Sequence, residues 1–354
     1  MSLESLEITD FRCIASTELD LDPTCSVFIG ENASGKTSLL EAISVLSTGR
    51  SFRSNRISNL IRTGCALFQV AGTVDRAPPL RIALQATVSS KEIHIGGEKT
   101  QSFAPLAIAL PVLVIDPSAH KLLEEGPNRR RRFLDWGTFH VEPRFIGQWR
   151  RYLCALSNRN AALKASQSMD LIRSWDDELV EAGTHIADYR AEYLGALQVH
   201  AKGIIGDLLG LSANIIYGRG WRDELTLREA VEESWRQDLR QKTTTVGPHR
   251  ADFQIQLDHF QSKDRISRGQ QKLLACALIL AQTRYRASSG SDNVSLLLDD
   301  PAAELDVDNL SKLLCAVASS AAQLIVTGIT VDALQNLPIG KMFHVKQGAV
   351  TAML

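Results

Sequence analysis

The sequence predicts an α/β protein in which a mixed sheet presents a phosphate-binding loop, an antiparallel β segment follows, and a helical lobe is inserted before the sheet is completed. Three observations predict this. Gly30-Glu31-Asn32-Ala33-Ser34-Gly35-Lys36-Thr37 matches the P-loop pattern G-x-x-x-x-G-K-[ST], between the apolar run Cys25–Ile29 and a helical pattern that begins at Leu39. A second apolar run, Val294–Leu298, ends in the paired carboxylates Asp299 and Asp300. From 118 to 209, apolar side chains recur at three- and four-residue spacing, as in Leu171, Trp175, Leu179, Ile186, Tyr189, Tyr193 and Leu197. The organisation expected is a head of 1–117 and 210–354 with a helical lobe of 118–209 inserted in it.

Residues 3–8 alternate apolar and polar, as a half-buried strand does, and Asp10-Phe11-Arg12 turns the chain into a second strand over 16–21. Asp22-Pro23-Thr24 makes a turn, the buried strand through Ile29 delivers the loop, and a first helix is expected over 36–47. Strands are expected over 66–74, 80–88 and 92–95, with turns at 75–79 and 89–90, and a short apolar strand over 111–115. Helices follow over 119–125, 128–139, 144–164 and 168–209, the second capped by Asn128. The pattern returns to strand at 213–217, helix at 227–240, strand at 253–257, helix at 270–283 and strand at 323–327.

Composition narrows the class. A hydrophobic share of 44% with 22% charged residues excludes global disorder for the 354-residue chain. The formal net charge of −1 excludes binding of nucleic acid through overall positive charge and leaves only a local basic face. The six cysteines contain no C-x-x-C pair, so they read as reduced core residues, not as a zinc site or a disulfide framework. The N-terminus has no long apolar core, and the most apolar stretch, 103–115, is broken by Pro105 and Pro111 and too short for a bilayer. No membrane partner and a cytoplasmic location are therefore expected.

The spacing of the loop follows from its chemistry. Glycines let backbone N–H groups face an anion, the helix N-terminus adds positive potential, and Lys36 reaches the terminal phosphates of a nucleoside triphosphate. Thr37 and Asp299 are the expected Mg²⁺ holders and Asp300 the residue that orients the attacking water. Basic segments admit two readings each. Arg50, Arg53 and Arg56 make either a phosphate-contacting patch or a solvated loop; Arg129-Arg130-Arg131-Arg132 and Arg150-Arg151 either touch nucleic acid or form a solvated basic face. The polar segment 245–250, with His249 and Arg250, reads as a turn. A membrane-transporter ATPase subunit and a small-molecule kinase use the same loop, though a kinase has no use for Ser267-Arg268-Gly269-Gln270-Gln271.

The order of these pieces (P-loop, helical insertion, Ser267 to Gln271, the Asp299-Asp300 strand, then Glu304-Leu305-Asp306) resembles an ABC-type ATPase head of the SMC-like kind, and within it the bacterial RecF family. The matching stretches are Asp10-Phe11-Arg12, 30–38, Gly126-Pro127 with 131–135, 245–250, 267–274 and 298–306, which span nearly the whole chain. The resemblance implies an ATP-dependent DNA-binding protein of recombinational repair and replication restart, linked to the SOS response and acting with RecO- and RecR-like partners. It also implies a homodimer joined by ATP on double-stranded, gapped or junction DNA. In it Ser267, Gly269 and Gln270 of one subunit cover the ATP held by the partner copy's Gly30, Glu31, Asn32, Ala33, Ser34, Gly35, Lys36, Thr37, Ser38 and Arg12. Arg50, Arg53 and Arg56 become its DNA-contact candidates. Asp300 stands where many such heads carry glutamate, so slow, switch-like hydrolysis is expected. Thr327 stands where transporters of this class carry histidine, and is the candidate γ-phosphate sensor.

Overall fold

The chain opens with an antiparallel hairpin, β1 (Leu3–Phe11) and β2 (Ile14–Asp20), and enters β3 (Cys25–Ile29), every residue of which is buried. The computed structural model describes residues 2–54, 56–258, 260–261, 266–290, 294–320 and 322–353. After the P-loop, α1 (Lys36–Thr48) leads to β4 (Leu67–Val74), β5 (Leu80–Thr87), β6 (Lys91–Ile95) and β7 (Glu98–Thr100). These complete an antiparallel sheet of order β2-β1-β4-β5-β6-β7. Helix α2 (Ala104–Ala109) and strand β8 (Val112–Ile115) follow. Neither β7 nor α2 is visible in the periodicity: β7 is only three residues long, and α2 carries Pro105 in its first turn, where the missing N–H costs nothing.

Contacts divide the chain into two compact units, 1–119 with 272–354, and 120–271. The second contains α3 (Lys121–Glu124), α4 (Pro127–Val141), α5 (Phe145–Lys164), α6 (Met169–Arg173) and α7 (Asp176–Leu209). It continues with β9 (Ala213–Gly218), α8 (Leu227–Glu233), α9 (Trp235–Gln241), β10 (Asp252–Leu257) and β11 (Phe260–Gln261). The expectation that 210–271 belongs to the head thus differs from the contacts. β9, β10 and β11 form their own antiparallel sheet, and a sheet that small needs a cover for its apolar face. Helices α4 and α7 provide it, with Phe133 and Phe253 rings 5.7 Å apart.

Three helix expectations are corrected. α4 begins at Pro127 with Gly126 as its cap, because proline at the first position has φ already set; Asn128 instead accepts a hydrogen bond from Arg131. The long helix breaks at Ser174-Trp175, so that α6 and α7 are separate, and the 227–240 helix breaks at Ser234. The 129–132 run is no simple solvated face: Arg130 forks Asp252 at 2.7 and 2.9 Å, and Arg131 donates to the Ala251 carbonyl at 2.8 Å.

A buried polar network holds this unit. Arg159, wholly inaccessible, donates to Asp176, Asp238 and Thr244 at 2.7, 2.7 and 2.8 Å. Asp238 also accepts from the Thr245 N–H and hydroxyl. His249 Nε2 lies 3.0 Å from the Thr244 carbonyl, so it carries the proton, and Nδ1 accepts from the Tyr152 hydroxyl at 2.5 Å. The segment 245–250 is therefore an anchored structural element, more than the turn it reads as.

The first unit resumes along α10 (Arg268–Ser288), then β12 (Val294–Leu298), α11 (Val307–Ala318), β13 (Ala322–Gly328), β14 (Lys341–Lys346) and β15 (Ala349–Met353). The second sheet has the order β15-β14-β3-β13-β12-β8, parallel throughout except for β15. Continuous burial of β3 and β12 is what central parallel strands require. α1 packs against β1, β4 and β5 of one sheet and β8 and β13 of the other, and residues 38–47 along it are all buried. Gln323 joins the two sheets: its amide pairs with the Leu3 N–H and carbonyl, each at 2.8 Å, as a strand would. Only Cys25 and Cys276 are buried cysteines; Cys13, Cys154 and Cys315 are exposed and Cys65 is half-buried, so the all-core expectation fails for four of six.

Burial depresses the His249 pKa from 6.5 to about 4, the Thr244 carbonyl opposes this, and the positive charges of Arg250 and Arg131 add to it. The stability this neutral imidazole contributes is present above pH 6.5 and is lost as pH falls toward 4, because the unfolded chain binds a proton the folded unit excludes, by at most about 3 kcal/mol. All five tryptophans lie in 120–271, so urea unfolding followed by tryptophan fluorescence reads this unit. The stability deficit of His249→Gln relative to the parent should shrink between pH 7 and pH 4.5; a constant deficit would refute the assignment.

Candidate functional site

The loop between β3 and α1 is shaped by contacts that leave no room for side chains. A Cβ on Gly30 would lie 2.2 Å from the Val345 carbonyl oxygen, and Gly35, at φ 115°, caps α1 without a side-chain bond. The β14–β15 turn, Gln347-Gly348 with φ of 50° and 82°, clamps the loop from outside: the Gly348 N–H donates to the Ser34 carbonyl at 2.8 Å. Lys36 is buried, and its ammonium donates to the Gly30 and Glu31 carbonyls, each at 2.7 Å. Burial lowers its pKa, with the charges of Asp300 and Asp299 opposing. Ser34 Oγ is buried without a hydrogen-bond partner among the described residues. An uncapped helix N-terminus, a lysine ammonium and an unspent hydroxyl suit the phosphates of a nucleotide.

The carboxylate half arrives through β12 and β13. Thr37 Oγ1 donates to Asp299 Oδ1 at 2.9 Å, and Thr327 Oγ1 donates to the same oxygen at 2.9 Å. The Thr327 hydroxyl in turn accepts the Asp300 N–H at 2.9 Å, so one buried hydroxyl positions both aspartates. Burial raises the Asp299 pKa; the hydrogen bonds from Thr37 and Thr327 and the positive charge of Arg53 work against it. Asp300 sits at φ 45°, a left-handed conformation uncommon for aspartate, which the Thr327 bond helps to hold. Thr37 and Asp299 offer hard oxygen atoms, the donor type that suits Mg²⁺.

Arg12 forks Glu41 of α1 through Nε and Nη2, at 2.9 and 2.6 Å. Glu41 is wholly buried and also accepts the Ser51 hydroxyl, which itself accepts the N–H groups of Arg53 and Ser54. Nothing in the helical pattern separates Glu41 from a solvated helix residue, so sequence reasoning misses it. Arg50, Arg53 and Arg56 are all exposed. Arg53 lies within electrostatic reach of Asp299, and Arg50 within reach of Lys91.

In the 120–271 unit, Ser267 and Gln270 bond reciprocally: the Ser267 hydroxyl accepts the Gln270 N–H at 3.3 Å and the Gln270 side-chain carbonyl accepts the Ser267 N–H at 3.0 Å. This is a capping box, whose S-x-x-Q signal was present in the sequence. Ser267 and Gln270 are exposed and Gly269 half-buried at the positive end of α10.

A phosphate loop on a parallel sheet, with paired aspartates two strands away and a capped Ser-x-Gly-Gln helix, defines an ABC-type ATPase head of the SMC kind. The family described as RecF/RecN/SMC N terminal domain matches residues 2–351. Proteins named DNA replication and repair protein RecF from Shewanella frigidimarina and Shewanella baltica are 38% and 37% identical, over all of this chain and all of theirs. A solved RecF–ATP structure, described as a recombination mediator of the RecFOR pathway, superposes with TM-score 0.88 at 27% identity, covering 100% of this chain and 98% of that one. An Smc head domain from Pyrococcus furiosus shares the fold, with TM-score 0.62 at 16% identity, covering 99% and 96%. The chain belongs to the RecF family.

Thr327→Val keeps the shape of this residue and removes the hydroxyl that holds both aspartates. ATP turnover should fall at least about tenfold while ATP affinity changes by less than about threefold, a split read from steady-state ATPase assays beside nucleotide titration. Unchanged turnover would remove Thr327 from the hydrolytic machinery.

Proposed function

We propose that this chain is an ATP-gated DNA-binding protein of recombinational repair, in which ATP joins two copies on DNA and slow hydrolysis separates them. The observation that carries the reading is the Thr37–Asp299 contact behind a complete phosphate loop, in a chain related over its full length to proteins named for DNA replication and repair. That relation gives no support to a transporter subunit or a small-molecule kinase. The loop N–H groups and Lys36 bind the phosphates of ATP, Arg12 borders the site from the β1–β2 turn, and Asp300 orients water. Bound Mg²⁺, held by Thr37 and Asp299, would neutralise charge on the phosphate oxygens. Ser267, Gly269 and Gln270 of the second copy cover the γ-phosphate, aided by the helix behind them.

DNA of duplex, gapped or junction form, RecO- and RecR-like proteins and a role in the SOS response complete the reading. Arg50, Arg53 and Arg56 are its DNA contacts in the head. Among the described residues no helix is long and apolar enough to cross a membrane; the place of action in this reading is the cytoplasm.

The test is fluorescence anisotropy of labelled duplex and gapped DNA with ATP, with ADP and with neither. Tight binding is expected with ATP alone, and equal binding in all three states would sink the gating. Lys36→Met should abolish ATP binding and ATP-dependent dimerisation, read by sedimentation, with the fold intact. Asp300→Asn should instead accumulate the ATP-bound dimer, and turnover at the parent rate would contradict the role given to Asp300.

A further inference from the structure

Most arginines of the 120–271 unit are neutralised where they stand: Arg130 forks Asp252, Arg190 holds Asp135 at 2.5 Å, and Arg151 reaches Glu178 and Glu181. Arg131 and Arg250 are among those that are not. Among the described residues neither forms an ion pair; Arg131 spends its donors on two neutral acceptors, the Ala251 carbonyl and the Asn128 side chain. Arg250 closes the short turn Pro248–Arg250 and is exposed. Arg131 reaches the segment that carries Arg250, since the carbonyl it bonds belongs to Ala251, the next residue; burial, then the charge of Arg190, lowers the Arg131 pKa, with the charge of Arg250 adding and those of Asp252 and Asp135 opposing.

The scaffold around this pair is rigid. Arg190 Nη1 donates to the Pro248 carbonyl at 2.7 Å, and His249 is held between Tyr152 and Thr244 in its uncharged form. Both carboxylates in reach, Asp252 and Asp135, are already engaged by Arg130 and Arg190. Arg131 also begins the second turn of α4, a 15-residue helix whose first turn holds no acidic residue and whose cap, Gly126, offers no side chain. The helix dipole therefore adds to the positive potential and is not cancelled. Like charges gathered on a fixed frame, whose neighbouring carboxylates among the described residues are bonded by other arginines, are an anion site in waiting. The planar guanidinium fork matches a phosphate, and a protein of net charge −1 must hold a polyanion through such local surfaces.

We propose that Arg131 and Arg250 form a phosphate clamp for the nucleic-acid backbone on the 120–271 unit, separate from the arginines of the head. The proposal rests on the DNA-binding reading above. It assigns the 245–250 segment a purpose: the half-buried His249 and the buried Tyr152 fix the turn that presents Arg250.

The test uses the full-length protein with ATP and labelled duplex DNA, titrated at several salt concentrations. Arg131→Gln, Arg250→Gln and the double variant should weaken binding roughly tenfold per arginine at low salt and reduce the slope of log K against log salt by about 0.9 for each phosphate that is no longer neutralised. ATP binding and tryptophan-monitored urea unfolding should match the parent. Arg250→Lys, which keeps the charge and removes the fork, should keep the slope and give up only part of the affinity. Arg222→Gln, at an exposed arginine already paired with Glu233, should leave the slope unchanged. A double variant with the parent's slope overturns the clamp and leaves the DNA reading standing. A parent protein that binds no DNA in any nucleotide state overturns both.

Discussion

The burial of α1 between two sheets is the constraint on which the rest of the head depends. A helix covered on all sides cannot shift without opening both cores, so the phosphate loop at its N-terminus inherits their rigidity. The same burial creates a difficulty at Glu41, a carboxylate with no access to water. A buried charge left alone costs several kcal/mol, so Glu41 must be answered, and Arg12 and Ser51 answer it. Because Arg12 belongs to the β1–β2 turn and Ser51 to the loop that bears Arg53, one enforced ion pair sets two neighbouring segments against the helix that carries the phosphate site.

The carboxylate side is set by strand order. Adjacent strands lie about 4.8 Å apart, so β12, separated from β3 by β13, starts about 10 Å from the strand that delivers the loop. That gap is what lets a side chain in the first turn of α1, Thr37, meet the end of β12 without clash. The strand in between is then the natural place for a residue that orders both sides, and Thr327, the last but one of its residues, has one donor and one acceptor in use. A hydroxyl there can bond Asp299 and the Asp300 backbone at once. A larger side chain would have to displace one of them.

How much of this was legible follows from which signals are local. The P-loop, the two apolar runs and the long helices declare themselves within a few residues, whereas Thr327 became a candidate only through the resemblance. β14 and β15 went unread because the first is half-exposed, the second largely exposed, and the Gln347-Gly348 turn between them lacks the Asn-Gly or Asp-Gly pair that marks a hairpin. The boundary at 209 misled because alternation in 213–217 and 253–257 reports a strand and is silent about its partners. β9 and β10 read the same whether they join the parallel sheet or pair with each other. The breaks at Ser174 and Ser234 were hidden for the opposite reason. Both flanks keep helical spacing, and the interruption serves contacts made elsewhere, such as Arg159 with Asp176 and Asp238.

Net charge proved a weak guide for the same reason that Glu41 was invisible: it counts charges without asking which are spent. Buried arginines locked onto carboxylates, such as Arg159 and Arg190, contribute stability and almost no external field, since each is matched a few ångströms away. The field felt by a distant polyanion comes from the remainder. In a chain of formal charge −1, sorting arginines by whether a carboxylate answers them separates structural cations from available ones. The available ones include Arg50, Arg53 and Arg56 on one unit and Arg131 with Arg250 on the other. Arg53 stands apart among them, because its positive charge also reaches Asp299 of the nucleotide site.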